Sequence, residues 1–75
     1  MKSMAKKRIK VGDEFQVTND GWTSTFRREA DDPKPAFKYE RMRVTCLSNT
    51  AAPGFAPYTF PAEPDWFVQR GLEAE

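Results

Sequence analysis

Ile9, Val11, Phe15 and Val17 occupy alternate positions, and Lys10, Glu14, Gln16 and Thr18 fall between them. Side chains along a strand point to opposite faces in turn, so this pattern predicts a half-buried strand over residues 9–18. Asp13 interrupts the apolar face, and Gly12 beside it predicts a bend or bulge. Asn19-Asp20-Gly21 follows, residues that tolerate positive φ, and predicts a hairpin turn. Beyond it Trp22, Ser24 and Phe26 alternate with Thr23 and Thr25 as far as Arg27 and Arg28, a second strand.

Glu29 to Pro35 predicts a loop, because Pro33 and Pro35 exclude a helix and extend the residues before them. Residues 36–48 form the longest strand candidate. Met42, Val44 and Cys46 share one face, and Arg41, Arg43 and Thr45 share the other. Phe37 and Tyr39 have the arginine parity. A bulge near Glu40 would turn them inward; without one they stand beside the arginines on the open face. After a loop at 49–54, Pro53, Pro57, Pro61 and Pro64 are interleaved with Phe55, Tyr58 and Phe60. That stretch predicts extended chain with one short edge strand near Tyr58–Phe60. Asp65 can cap a single helical turn through Gln69, with Gly71 as its stop.

The fold expected is therefore mainly β, a small SH3-like barrel or a rolled antiparallel sheet of four to five strands with a short C-terminal helical turn. The organisation expected is a flexible basic tail over 1–8, one domain over 9–71 and an acidic tail over 72–75. The segments Lys10-Val11-Gly12-Asp13-Glu14-Phe15-Gln16-Val17 and Tyr39-Glu40-Arg41-Met42-Arg43-Val44 resemble the first and a central strand of SH3-like barrels. The resemblance covers about residues 9–70. The arrangement is also similar to small β proteins encoded by tailed phages. That likeness implies an inhibitor or modulator of a host complex.

Composition changes this picture mostly by what it excludes. The 75 residues contain no histidine and one cysteine, Cys46. Histidine is the usual acid–base group near neutral pH and the commonest metal ligand, so no Ser–His or Cys–His pair and no His₂Cys₂ finger can be built. Asp31-Asp32 is the densest carboxylate pair, but it sits in a proline loop where neighbouring acids face water. The four glycines are scattered and make no phosphate loop. No enzyme and no cofactor are expected. One cysteine makes no disulfide, and no apolar run reaches the length of a membrane span, so a cytoplasmic protein that does not enter a membrane is expected.

Charge is unevenly spread. Residues 1–10 carry five positive side chains and no acid, whereas residues 11–75 carry seven positive and eleven acidic ones. Ten aromatics are more than a core this small absorbs. Phe15, Trp22, Phe26, Phe60, Trp66 and Phe67 are expected inside, which leaves Phe37, Tyr39, Phe55 and Tyr58 for an exposed patch. With Arg27, Arg28, Arg41 and Arg43 these four form the candidate binding set, since Tyr and Arg are favoured anchors of protein interfaces. A protein partner is the leading expectation. The alternative is a nucleic-acid-binding barrel, in which Lys6, Lys7, Arg8 and Lys10 meet phosphates and the aromatics stack on bases. A homodimer is a third.

Overall fold

The computed structural model of the chain describes residues 7–75. Its main sheet has four antiparallel strands in the order β2 (Glu14–Asn19), β3 (Trp22–Arg28), β4 (Arg43–Asn49) and β5 (Tyr58–Pro61). A second sheet pairs β1 (Lys7–Ile9) with β6 (Leu72–Ala74) in parallel. One helical turn, α1 (Pro64–Val68), precedes β6. The architecture is mainly β, and the sheet does not close into a barrel among the described residues.

The β2–β3 hairpin forms where the alternation places it. Its strands close on the Asn19↔Trp22 pair, and Asp20 and Gly21 fill the turn at φ 49° and 82°. Both positive values are what a two-residue hairpin requires to match the twist of its strands. The strand expected over 9–18 is in fact two. Gly12 takes φ 93°, the Lys10 N–H donates to the Asp13 carboxylate (2.9 Å), and the chain turns between β1 and β2. Asp13 thus interrupts the apolar pattern because it caps this turn.

The expected long strand at 36–48 is also shorter. Residues Lys38–Glu40 form a 3-10 turn, and β4 begins only at Arg43. The change of parity at Phe37 and Tyr39 marks this break rather than a bulge near Glu40. The bulge lies further on, where Leu47 is left over between the Thr25↔Ser48 and Phe26↔Cys46 pairs.

Ile9, Phe15, Phe26, Val44, Cys46, Ala62, Phe67 and Leu72 form the core between one face of the main sheet and the β1, α1 and β6 segments. Phe15 and Phe26 stack at 5.5 Å, and Trp66 meets Phe26 edge-on at 5.1 Å. Both ends of the described chain depart from expectation. Lys7 and Arg8, expected in a loose tail, belong to β1, and Leu72, expected in an acidic tail, is buried in β6. Ile9 and Leu72 supply the apolar contact that holds these two short strands down. Lys6 lies outside the described residues.

Candidate functional site

Most of the arginines in the candidate set are engaged within the protein. β3 sends Arg27 and Arg28 to opposite faces. Arg28 has the parity of Trp22, Ser24 and Phe26 and is only 4% exposed. Its Nη1 donates to the main-chain oxygens of Ile9 (2.8 Å) and Glu75 (2.7 Å), and its Nη2 lies 3.7 Å from Asp31. Arg28 is therefore a structural clamp that joins β1 and the residue after β6 to β3, a correction to its expected place on a binding surface. Arg41 pairs with the other oxygen of Asp31 at 3.5 Å, and Arg8 with Glu75 at 3.6 Å. Arg43 has no ion-pair partner among the described residues, and Lys7 and Lys10 are exposed.

On the face of the sheet opposite the core Arg27 donates to Glu29 at 2.9 Å. The Thr45 hydroxyl donates to the same carboxylate oxygen at 2.5 Å. Thr45 also lies 2.7 Å from the Thr59 hydroxyl. A hydroxyl has one proton to give, so Thr59 is the donor to Thr45. The Thr45 bond, and then Arg27, hold the Glu29 carboxyl below its ordinary range. The four arginines do not converge, and this face is a self-satisfied polar surface.

The aromatics are distributed differently. Phe37 and Tyr39 flank Lys38 at the 3-10 turn, and their rings stack 5.4 Å apart and 10° from parallel while 57% and 52% exposed. Tyr58 on β5 is 54% exposed and stands edge-on to Phe55 at 5.9 Å. Phe55 itself is half-buried against the core, a correction to its expected exposure. From Tyr58 ring contacts run on to Phe60 (5.7 Å) and from Phe60 to Trp66 (5.6 Å). The Arg70 guanidinium covers the Trp66 ring at 4.1 Å from its centroid.

Two shallow depressions adjoin this band and share Gln69. One, of about 470 Å³, lies between Tyr39, Pro61, Glu63 and Trp66. The other, of about 500 Å³, lies between Val17, Trp22, Phe26 and Arg70. Trp22, expected in the core, is only partly buried and lines this second depression, at the hairpin end of β3. Arg70 and Trp22 are thus site residues that the sequence reading did not select. The signal for Trp22 was its position beside the turn, at the last row of the sheet.

Cys46 is buried, and desolvation pushes its thiol up. No helix among the described residues is long and apolar enough to cross a membrane. Compared with protein-family models, curated proteins and solved structures, the chain has no significant match in any of the three.

Proposed function

We propose that this is a non-enzymatic binding protein that docks on a larger protein through its exposed aromatics. The stacked, half-exposed Phe37–Tyr39 pair carries the reading. More than half of each residue's surface stays in water although the two rings stack on each other. Exposed aromatic surface of this kind marks contact sites on small proteins. Tyr58, Trp66 and Arg70 extend the surface with residue types favoured as interface anchors. The ion pairs of Arg27, Arg28 and Arg41 leave those guanidinium groups less free for phosphates, which favours a protein over a nucleic acid. The partner is a larger complex that docking modulates, as the resemblance to small phage proteins implies.

Capture of partners from a native lysate on the tagged protein tests this, with the Phe37→Ala/Tyr39→Ala double variant as control. A stoichiometric protein that survives nuclease and high salt and is lost with the double variant supports docking through aromatics. Binding that disappears with nuclease or salt, and is untouched by the double variant, assigns the protein to nucleic acid instead.

A further inference from the structure

The main sheet has two edges, and proline guards only one. Pro57 precedes β5 and Pro61 ends it, and proline offers an incoming strand no N–H. β2, at the other edge, has no proline, no lysine and no bulge in its pairing with β3.

The register identifies which backbone groups of β2 are free. A two-residue turn makes Asn19↔Trp22 a hydrogen-bonded pair, and pairs alternate from there, so Val17↔Ser24 and Phe15↔Phe26 are hydrogen-bonded too. The Arg28 N–H donates to the Asp13 oxygen at 2.9 Å, in keeping with that alternation. Glu14, Gln16 and Thr18 therefore direct their N–H and C=O groups away from β3. Among the described residues these groups have no backbone partner, and β3 is the only strand paired with β2.

We propose that two copies of this chain join β2 to β2, antiparallel, across a two-fold axis at Gln16. In this register Gln16 pairs with Gln16 of the second copy, and Glu14 pairs with Thr18 in both directions. All three free N–H groups and all three free C=O groups of each strand are then satisfied. A shift of two residues either way leaves at least one residue on each strand unpaired. The side chains fit the same register. The two Gln16 amides meet on the face opposite the core, each able to donate and accept, and each Glu14 carboxylate faces a Thr18 hydroxyl. On the core face Phe15 stands opposite Val17, which is only half-buried in one copy. The two sheets become one continuous sheet of eight strands. The pairing edge is distinct from Phe37, Tyr39 and Tyr58, although Val17 and Thr18 also border the depression beside Trp22.

The edge is six residues long and buries much less than the ~800 Å² per partner of a stable interface. The association expected is therefore weak, setting in only towards the upper end of the concentration range measured. Sedimentation velocity from about 10 µM to about 1 mM measures it, and amide exchange by NMR locates it. The expected result is a dimer at the upper end, with the Glu14, Gln16 and Thr18 amides slowed as concentration rises.

Gln16→Pro removes an N–H that faces outward in the single chain and should abolish the dimer. Gln16→Lys and Gln16→Glu, both at an exposed position, oppose like charges at the axis. Each should weaken self-association at least tenfold, and an equimolar mixture of the two should restore it as a heterodimer. A chain that stays monomeric at the highest concentration overturns the proposal. So does a dimer that is indifferent to Gln16→Lys, or one lost instead with Tyr39→Ala.

Discussion

The Nη1 nitrogen of Arg28 lies 2.8 Å from the main-chain oxygen of Ile9 and 2.7 Å from that of Glu75. One nitrogen with two protons thus ties β1 and the residue that follows β6 to the end of β3. Arg28→Ala leaves two acceptors without their charged donor and should cost about 3–5 kcal/mol. A domain of this size has only ~3–5 kcal/mol in total, so the variant should be largely unfolded at 25 °C. Arg28→Lys keeps the charge but not the fork, and should cost about 2 kcal/mol. Urea denaturation followed by Trp fluorescence checks both.

Glu29 gives the fold a defined acid sensitivity. Its carboxyl titrates lower in the folded chain than in the unfolded one, held down by Thr45 first and Arg27 second. The stabilisation is complete above the unfolded value, near 4.5, and is lost as pH falls through the lower folded value. Glu29→Gln should therefore flatten the acid limb of the stability–pH curve between about pH 5 and pH 2. Thr45→Val should cost about 1 kcal/mol more at pH 7 than at pH 2, since the loss of the Thr59 bond is common to both. Urea midpoints measured across that range distinguish the two.

The Cys46 thiol should react slowly. Burial raises it and shields it, and the thiolate is the reactive form. Labelling with a thiol reagent at pH 8 should run at least about a hundredfold slower in the native protein than in urea. A native rate close to the denatured one would show that β4 opens readily.

Removing exposed rings should separate binding from folding. Phe37→Ala, Tyr39→Ala and Tyr58→Ala each act on a side chain more than half exposed, so each should change stability by about 0.5 kcal/mol or less. Partner capture should fall sharply with the first two. Phe60→Ala, by contrast, removes a ring that packs on Phe26 and Trp66 and should cost about 3 kcal/mol. Thermal melts beside capture experiments check this contrast.

Local signals in the sequence were legible, and distant ones were not. The β2–β3 hairpin follows from strict alternation around Asp20-Gly21. The α1 turn stops before Gly71 as expected, but Asp65 does not cap it: Glu63 is the N-cap, Pro64 is the first helical residue, and Asp65 lies inside the turn. The β1–β6 pairing leaves no comparable trace, since each strand is three residues long and mostly polar, and its partner lies at the other end of the chain. The role of Arg28 was half visible. Its parity matches Phe26, which points it inward, but the acceptors that make an inward arginine tolerable belong to residues remote in sequence. The exposure of Phe37 and Tyr39 agrees with the expectation that so small a core cannot absorb ten aromatics, but strand parity did not reveal it, since a 3-10 turn and not a strand carries them.

The parallel pairing of β1 with β6 also sets the order of events in folding. The β2–β3 hairpin needs only its own residues and can form within microseconds. Arg28, at the end of that hairpin, must then wait for an acceptor 47 residues downstream. Such long-range closure is entropically expensive and slow relative to local contacts. The chain should therefore reach a state with its main sheet assembled and its clamp still open, and the last step to the native protein should be the docking of Leu72–Ala74 beside Lys7–Ile9.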